Sequence, residues 1–411
     1  MAMCQYADLE QTINRVVSCM PWYQSWFRSQ LVGRAGISVR EKLPLMTASV
    51  LERHYYVKNS PLVQRRDMHR YQTSGTSSGL RKSIYYSDWD EENYVRIKLD
   101  VYRTILGNHN YQRALADMGT GHAEATAVEV FRRLGMHAES ISFRLPIQQH
   151  LERLEDFKPE VLYTMPSILN RILLESPDPA AYGIRHVILV GEMTSPAWCS
   201  QAARRLGIRT EHITDTYGSI EIGTIAYYSH EHGRYLLTEG ITAEGLLPEE
   251  VEEGLGTLSD EEERVLVVTS SVREAFPAIR YVTYDVVRDF RPIRVDGILR
   301  PSFRSIVKRI GPELKHGEKI SIYDIEDVVY RHLAEADIRV KVAGNAVIVY
   351  LFSPHATEKV MQQIQYDIEQ RIPEIGMMIQ AGVLDGIQVI EGTREDLYSS
   401  GSIKNKKIFY E

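Results

Sequence analysis

The segment RHVILVGEMTSPAWCSQAARRLG, residues 185–207, decides the fold class. Its first six residues, RHVILV, contain a continuous apolar run, which is typical of a strand buried on both faces. Ser195 can cap a helix with Pro196 in its first position, and Gly207 can end that helix. A buried strand followed at once by a capped helix is the repeating unit of an α/β domain.

The same alternation extends on both sides of this segment. Residues 161–164 are predicted to form a strand, and Pro166 then opens a helix that presents Ile168, Ile172 and Leu173 on one face. Strand-like and helix-like segments alternate from about residue 71 to residue 240. This pattern predicts an α/β domain with a largely parallel sheet.

A different pattern follows. The acidic run from Glu249 to Glu263 is predicted to be a solvated loop. After about residue 310 the periodicity indicates a smaller α+β unit, with two strands around a Gly344–Asn345 turn and a final strand at 386–391. Its first helix has apolar residues at helical spacing. These are Ile322, Ile325, Val328, Val329 and Leu333.

The composition of the 411-residue chain excludes several function classes. The formal charge of −7 argues against a nucleic-acid partner, which needs a basic surface. Cys4, Cys19 and Cys199 form no CxxC pair, so neither a zinc cluster nor a disulfide framework is expected. The chain has no signal-peptide core and no apolar run of membrane-spanning length, so we expect a cytoplasmic protein without membrane contact.

Hydroxyls and glycines crowd the segment YQTSGTSSGLRKSIYY, residues 71–86. Glycine lets a backbone approach an anion closely, and successive N–H groups with Ser and Thr hydroxyls can hold phosphates. Arg81 and Lys82 add positive charge. A flexible Ser/Gly loop is the alternative for the segment taken alone, and its spacing excludes a GxxxxGK[ST] P-loop.

A second candidate segment, HITDTYGSIEIG (212–223), is predicted to lie at strand ends. Ligands of open α/β sheets bind outside the carboxyl ends of strands. Glu221 offers a hard oxygen ligand for Mg²⁺ on a nucleotide, and Tyr217 offers a flat face for a purine. An ordinary turn with a surface glutamate is the alternative.

A third candidate segment, PAIRYVTYDVVRDF (277–290), places Asp285 inside an apolar and aromatic strand pattern. A carboxylate there needs a hydrogen-bonding partner, because burying it unpaired is costly. A ribose diol could supply two donors. Arg280 or Arg288 is the alternative partner.

In this order and spacing, the three segments resemble the AMP-forming (adenylate-forming) ligase superfamily, and more closely its phenylacetate–CoA ligase branch. The resemblance covers nearly the whole chain. It implies a large N-terminal ATP- and acid-binding domain of mixed sheets and flanking helices (1–308) and a small, mobile α+β C-terminal domain (309–411). It also implies ATP and Mg²⁺ as cofactors. The residues implied to bind ATP or AMP are Thr73, Ser74, Gly75, Thr76, Ser77, Gly191, Glu192, Met193, Asp215, Thr216, Tyr217, Gly218, Ser219, Asp285 and Arg309.

The sequence departs from the family pattern at three places. The phosphate segment lacks the family's proline, so either Arg81 or Lys82 could contact the phosphates. Ile220 replaces a Thr or Ser that touches the α-phosphate in the family, and Ser219 is the candidate substitute. The hinge that usually carries an acidic residue reads Ile-Gly-Pro at 310–312.

The resemblance implies two catalytic residues. Lys404 would bridge the acyl carboxylate and the α-phosphate, and Glu221 would hold the metal ion. A carboxylate is already nucleophilic at neutral pH, so acyl-AMP formation needs charge neutralisation and alignment rather than a general base. The acyl group would then pass to a thiol. A basic surface tail is the alternative for the segment around Lys404.

The residues implied to line the acyl pocket are Thr120, His122, Tyr163, Thr164 and Met165. This mixture suits a small hydroxylated aromatic acid better than a long alkyl chain. Superfamily members that serve siderophore biosynthesis are similar in compact length and polar pocket. They imply 3,4-dihydroxybenzoate as the acid and the phosphopantetheine thiol of an aryl carrier protein as the acceptor. A structural histidine is the alternative for His122.

Three other hypotheses remain open at this stage. The chain could be an aryl–CoA ligase that uses free coenzyme A. It could be a non-catalytic nucleotide-binding member, which Ile220 and the altered hinge favour. It could also pass the acyl group through Cys199, although a buried structural thiol is the expected role there. Because symmetric dimers are common, a homodimer is one expectation for the assembly.

Overall fold

Strands and helices alternate from Ser83 to Leu206, as the sequence predicts, and the fold is mixed α/β. The computed structural model describes residues 2–31, 43–57, 60–72, 82–118, 122–258, 260–310, 322–333, 336–343, 346–380, 382, 384–393 and 408–410. The chain divides into two compact units, each built from separate stretches of sequence. The first unit comprises Met1–Asn110, Gly121–Gly135 and Thr216–Glu313, and the second comprises Tyr111–Thr120, Met136–Asp215 and Leu314–Glu411.

The bounds of the elements follow in chain order. The helices are Ala2–Cys19, Pro21–Leu31, Ala48–His54, Asp88–Leu106, His122–Arg133, Ile147–Phe157, Pro166–Glu175, Pro196–Leu206, Pro248–Val251, Ile322–His332, Glu358–Arg371 and Pro373–Gln380, with 3₁₀ turns at Pro61–Gln64, Pro179–Tyr182 and Thr210–His212. The strands are β1 (Met68–Gln72), β2 (Ser83–Ser87), β3 (Arg113–Met118), β4 (His137–Ser142), β5 (Val161–Thr164), β6 (His186–Val190), β7 (Ile213–Ser219), β8 (Gly223–Ser229), β9 (Arg234–Leu237), β10 (Ile241–Leu246), β11 (Glu263–Ser270), β12 (Tyr281–Arg288), β13 (Arg291–Val295), β14 (Ile298–Phe303), β15 (Ser305–Arg309), β16 (Asp337–Ala343), β17 (Ala346–Phe352), β18 (Gly386–Glu391) and β19 (Ile408–Tyr410). Across these described ranges, every helix is too short or too polar to cross a bilayer.

Antiparallel pairing dominates the first unit. The strands β1 and β2 pair with each other from Met68–Ser87 to Gln72–Ser83, so the phosphate segment predicted from the sequence connects two paired strands. A four-stranded antiparallel sheet has the order β10-β11-β12-β15, and further antiparallel pairs give the order β13-β14-β9-β8-β7. Val265 and Val267 of β11 and Val282 and Val286 of β12 belong to one hydrophobic cluster of this sheet.

The second unit contains the parallel strands that the sequence predicts. Their order is β6-β5-β3-β4, and each neighbouring pair is parallel. The predicted caps are also present. The Ser195 hydroxyl accepts a hydrogen bond from the Trp198 N–H at 3.2 Å, and Gly207 ends the same helix with a left-handed φ of +68°. Leu162, Leu169 and Val187 are fully buried in the core beneath these helices.

A smaller α+β layer completes the second unit. Its sheet has the order β18-β17-β16-β19, and the helices Ile322–His332 and Glu358–Arg371 cover its apolar core. The predicted turn at Gly344–Asn345 lies outside the described residues. The expectation that 386–391 is the final strand is wrong, because β19 follows it and pairs parallel with β16. Three residues after a basic run carry too little periodicity to predict a strand.

Candidate active site

The turn that carries Glu221 begins where β7 ends, and it depends on Gly218. A Cβ atom on Gly218 would lie 2.5 Å from the carbonyl oxygen of Gly223, so no other residue fits without a backbone shift. The register between β7 and β8 also changes after Tyr217. The Ser219 hydroxyl accepts a hydrogen bond from the Ile222 N–H at 3.3 Å, which closes the turn. Glu221 is partly buried at its tip.

Three of the predicted nucleotide-binding residues come together from three strands of the first unit. The Tyr217 hydroxyl donates a hydrogen bond to Oδ2 of Asp285 at 2.5 Å. Asp285 and Arg309 are cross-strand partners of β12 and β15, and Nε of Arg309 lies 3.9 Å from Oδ1 of Asp285. The alternative partners of Asp285 are engaged elsewhere. Arg280 pairs with Glu244, and Arg288 pairs with carboxylates at the start of β11 and just before it.

The backbone beside Asp285 is strained. Tyr284 has a φ of +61°, and the pairing of β11 with β12 is irregular at this point. A left-handed conformation at a bulky residue costs about 1–3 kcal/mol and persists only when neighbours hold it. The Tyr284 hydroxyl donates to Glu252 at 2.5 Å and accepts from the Ala48 N–H at 3.0 Å. Such irregularities re-aim side chains next to functional sites, which is what Asp285 requires here.

The charge of Asp285 affects the pKa values of both neighbouring side chains in this cluster. Burial, then the charge of Asp285, raises the pKa of Tyr217 well above its ordinary value, so the phenol stays a neutral donor. Asp285 also raises the pKa of Arg309. The Arg309 side chain is 58% exposed, so its guanidinium retains donors for an anion. The cluster therefore combines an acceptor for hydroxyl groups with a cation for phosphate.

His122 lies in a box of aromatic rings in the same unit. Its ring centroid is 4.4 Å from that of Tyr71, 4.7 Å from Tyr86 and 4.3 Å from Tyr94. Nε2 of His122 lies 2.7 Å from one oxygen of Glu91, whose other oxygen accepts from the Tyr71 hydroxyl at 2.7 Å. Burial alone would raise the pKa of Glu91. The hydrogen bonds from His122 and Tyr71 and the charge of His122 outweigh burial and lower this pKa below its ordinary value. Among the described residues, Nδ1 of His122 has no hydrogen-bond partner.

Most of the other predicted residues that the structure describes belong to the second unit. Gly191 follows β6 with a φ of +83°. The Glu192 carboxylate accepts from the N–H and hydroxyl of Ser167 at 2.8 and 2.9 Å, so it caps the helix Pro166–Glu175. Met193 is partly buried. The remaining predicted residues, around β5 and in β7, are buried. They are Tyr163, Thr164, Met165, Asp215 and Thr216. The boundary between the two units falls within β7, so Asp215 belongs to the second unit and Thr216 to the first.

Several predicted residues lie outside the described residues. They are Thr73, Ser74, Gly75, Thr76, Ser77, Arg81, Thr120 and Lys404. Lys82 is described, and its Nζ lies 3.0 Å from a carboxylate oxygen of Glu52. The choice between Arg81 and Lys82 as phosphate contact therefore stays a prediction.

Glu221 is the predicted metal ligand, and its surroundings suit Mg²⁺ bound together with a nucleotide. Within the described ranges, no group of three or more His, Cys, Asp or Glu side chains could hold a metal ion. Mg²⁺ commonly takes one or two protein carboxylates and completes its shell with phosphate oxygens and water. A single partly buried carboxylate at the tip of a turn fits that donor set.

Sequence reasoning missed two groups that the structure places around this site. Glu91 and Tyr71 hold His122, and a buried ion pair joins Arg273 to Asp90. The spacing of Ser87 and Asp90 is a capping-box signal, and the structure forms that box. Nothing in the sequence around Arg273 identifies its partners, because they lie far away along the chain.

Comparisons with known proteins agree on one class of enzyme. The model of the fumarate–diaminopropanoate ligase C-terminal domain matches residues 315–395. The chain is 34% identical over 382 residues to the fumarate–(S)-2,3-diaminopropanoate ligase of Enterobacter agglomerans, covering 93% of this chain and 94% of that protein.

Solved structures of adenylate-forming enzymes share the fold. A 2-hydroxyisobutyryl-CoA ligase in its postadenylation state superposes with a TM-score of 0.70 at 14% identity, covering 98% of this chain and 88% of that one. Its complex with an acyl-AMP and CoA in the thioesterification state gives a TM-score of 0.60 over the same shares, also at 14% identity. The amide bond synthetase McbA of Marinactinospora thermotolerans gives 0.53 at 15% identity, covering 79% of this chain and 64% of that one.

The fold is therefore that of the adenylate-forming ligases, as the sequence predicts, and the protein is an AMP-forming ligase. The chain belongs to the family of the fumarate–(S)-2,3-diaminopropanoate ligase. The general expectation of an ATP-using acid ligase is confirmed.

Proposed function

We propose that this enzyme joins a small dicarboxylic acid to an amine through an acyl-adenylate. The observation that carries the proposal is the 34% identity over 93% of the chain to a ligase named for fumarate and (S)-2,3-diaminopropanoate. In such a reaction the carboxylate attacks the α-phosphorus of ATP and pyrophosphate leaves. The amine then attacks the acyl carbonyl, AMP leaves and the amine loses a proton.

The nucleotide would bind at the Tyr217–Asp285–Arg309 cluster. Asp285 presents a carboxylate oxygen that a ribose diol can approach, and Tyr217 fixes its orientation through the 2.5 Å hydrogen bond. The exposed Arg309 guanidinium would bind phosphate, since a planar guanidinium recognises phosphate with paired hydrogen bonds. The predicted residues of the phosphate segment, 73–77, and of the second unit, Gly191 to Met193 and Asp215, keep their proposed nucleotide roles.

Glu221 would hold Mg²⁺, which would neutralise phosphate charge as pyrophosphate leaves. Lys404 is proposed to bridge the acyl carboxylate and the α-phosphate. A domain boundary at 308/309 is proposed as well, with the C-terminal part rotating between the two half-reactions.

His122 is the proposed recognition group for the distal carboxylate of the acid. In the imidazolium form, Nε2–H of His122 donates to Glu91, and Nδ1 on the other side of the ring carries a second N–H that can donate to an anion. The rings of Tyr71, Tyr86 and Tyr94 exclude water around the imidazole, and an electrostatic contact is stronger in a drier site. Thr120, Tyr163, Thr164 and Met165 keep the acyl-pocket role that the sequence predicts for them.

A pair of acids that differ only in the distal group tests this role. We expect the substitution His122→Gln to raise the KM for fumarate about tenfold or more, because one charge-assisted hydrogen bond is lost. The KM for a monocarboxylate with the same double bond, crotonate, should change little. An equal effect on both acids would show that His122 is structural, which was the alternative from the sequence.

Product analysis tests the proposal as a whole. The protein is incubated with ATP, Mg²⁺ and one acid from a panel of fumarate, succinate, crotonate and 3,4-dihydroxybenzoate. Each reaction receives (S)-2,3-diaminopropanoate, coenzyme A or no acceptor, and the products are identified by mass spectrometry. We expect AMP and an amide only with a dicarboxylic acid and the amine.

The same panel tests the hypotheses from the sequence. The narrower resemblance to the 3,4-dihydroxybenzoate–AMP ligase of petrobactin-type siderophore biosynthesis stays a prediction, and so do an aryl carrier protein as partner and a homodimer. Adenylation of 3,4-dihydroxybenzoate alone, with transfer to a thiol, would replace the dicarboxylate and amine proposal. A coenzyme A thioester without amide would support the CoA ligase alternative.

A further inference from the structure

Arg273 is a buried cation with a dense set of partners in the first unit. Its side chain is 2% exposed and forms an ion pair with Asp90, whose side chain is 0% exposed. Asp90 also accepts hydrogen bonds from the N–H groups of Ser87, Glu274 and Ala275 at 3.2, 2.8 and 3.1 Å. The negative charge is thus fully satisfied, and the guanidinium has further donors to direct elsewhere.

Those further donors hold the turn that carries Glu221. Nε of Arg273 donates to the carbonyl oxygen of Glu221 at 2.9 Å, and a terminal nitrogen donates to that of Tyr85 at 3.0 Å. The guanidinium lies 3.8 Å from the ring centroid of Tyr86, which is a cation–π contact. The Tyr86 hydroxyl in turn donates to the carbonyl oxygen of Ile220 at 2.7 Å.

Two consecutive carbonyl groups, those of Ile220 and Glu221, are therefore fixed by buried side chains from two other parts of the chain. Tyr86 belongs to β2, the strand that follows the phosphate segment, and Arg273 follows β11. A metal-binding carboxylate works best when its backbone is held, because second-layer contacts orient the ligand. A buried ion pair is weak evidence for a stabilising role by itself, since apolar residues of similar size often stabilise a fold as well.

We propose that Arg273 and Tyr86 are positioning residues that fix the orientation of Glu221 toward the Mg²⁺ of bound MgATP. The inference rests on the proposed metal role of Glu221. It extends that role to two residues that contact the backbone of the turn that carries Glu221. It also connects the strand after the phosphate segment with the turn after β7 through one guanidinium.

Calorimetric titration of ATP, with and without excess Mg²⁺, tests the proposal without needing the acid. The readout is the gain in ATP affinity that Mg²⁺ produces. The substitution Arg273→Lys keeps the charge but loses the planar set of donors, so we expect the gain to fall about 10- to 100-fold. Tyr86→Phe keeps the ring under Arg273 and removes one hydrogen bond, so we expect a fall of about fivefold.

The matched control is Arg234→Lys. Arg234 is also buried and paired, with hydrogen bonds to Asp289 at 2.7 Å and to Ser302 at 2.9 Å, and among the described residues it forms no hydrogen bond or ion pair with the turn 217–221. This variant should be less stable, but Mg²⁺ should increase its ATP affinity as much as in the parent protein. An equal loss of the gain in Arg234→Lys, or an unchanged gain in folded Arg273→Lys and Tyr86→Phe, overturns the inference.

Glu221→Gln separates this inference from the proposed function. The variant keeps the backbone carbonyl that Arg273 contacts and removes only the charge of the ligand. Loss of the Mg²⁺ gain in Glu221→Gln alone would leave the metal assignment intact and overturn the positioning role. An unchanged gain in Glu221→Gln would overturn the metal assignment and the inference together.

Discussion

Two Arg–Asp pairs in the first unit use the same chemistry for different ends. Arg273 and Asp90 are 2% and 0% exposed, and all three nitrogens of the Arg273 guanidinium donate to acceptors within the protein. Arg309 and Asp285 are 58% and 18% exposed, with 3.9 Å between Nε and the nearest carboxylate oxygen. Burial closes the first pair to a ligand, whereas the second keeps a carboxylate and a cation accessible.

Burial and hydrogen bonding, rather than residue type, distinguish the structural pair, Arg273–Asp90, from the proposed binding pair, Arg309–Asp285. A buried pair is costly to break, because the partner left behind is an uncompensated charge. An exposed pair contributes little to stability, because water and salt screen it. Substitutions in the two pairs should therefore affect different observables.

The largest expected effect on stability is that of Asp90→Ala. The substitution leaves Arg273 buried without its carboxylate, so the free energy of unfolding should fall by about 3–5 kcal/mol. Denaturant unfolding followed by circular dichroism measures it. The matched variant Asp285→Ala should cost less, about 1–2 kcal/mol, because its Arg309 partner is exposed and the main loss is the hydrogen bond from Tyr217. Equal losses from the two variants would contradict the comparison.

The binding pair should reveal itself in the affinity for ATP. Asp285→Ala removes the proposed acceptor of the ribose hydroxyls, and we expect the Kd for ATP to rise about 10- to 100-fold, because charged hydrogen bonds are lost. Tyr217→Phe keeps the carboxylate and removes only its neighbour's hydroxyl, so its effect should be smaller. Unchanged ATP affinity in folded Asp285→Ala would remove Asp285 from the site.

Arg309→Gln should have an intermediate effect. The guanidinium is exposed and its proposed phosphate contact is charged, so we expect ATP affinity to fall about tenfold at low salt. The loss should shrink as ionic strength rises, because screening weakens the contact in the parent protein as well. A loss that does not depend on salt would argue for a structural role.

Lys98 extends the comparison to a buried cation that can lose its charge. Burial lowers the pKa of Lys98 from 10.5 to about 7. Between pH 7 and 10.5 the unfolded chain holds a proton that the folded chain has released. The free energy of unfolding therefore rises with pH in this window, by at most about 1.4 kcal/mol per unit. Below pH 7 both states are protonated and the contribution is constant.

The substitution Lys98→Met should remove this slope. Urea unfolding of the parent and the variant at several values between pH 7 and 9 measures the difference between them, in which other titrating groups cancel. We expect the free energy of unfolding of the parent to increase with pH relative to that of the variant. Parallel curves would show that Lys98 keeps its proton when folded, as Arg273 must.

The alternation of strands and helices was predictable because it is periodic. The apolar run at 185–190 and the caps Ser195 and Gly207 form the elements that local sequence requires. The acidic run from Glu249 to Glu263 was predicted to be solvated, and this is only partly correct. Glu263 is fully buried, pairs with Arg288 and lies 3.8 Å from Nζ of Lys308. Both partners lie on other strands, distant in sequence, so the local sequence does not reveal them.

The motif residues of the candidate site could be predicted from the sequence. The residues that position them could not. Tyr217 and Asp285 come from motifs that a family resemblance identifies, and the structure joins them directly. The residues that hold the site, such as Arg273, Tyr86 and Glu91, depend on contacts between segments far apart. No local period or spacing encodes such contacts, so only the folded chain reveals them.

Acid-dependent exchange of pyrophosphate into ATP is the most direct test of the central claim that the Asp285 and Glu221 site forms an acyl-adenylate. We predict exchange with one small dicarboxylic acid in the parent protein, and its loss in Asp285→Ala and Glu221→Gln variants that remain folded. Full exchange in both variants would contradict the account. So would the absence of exchange with any acid, in protein that is folded and binds ATP.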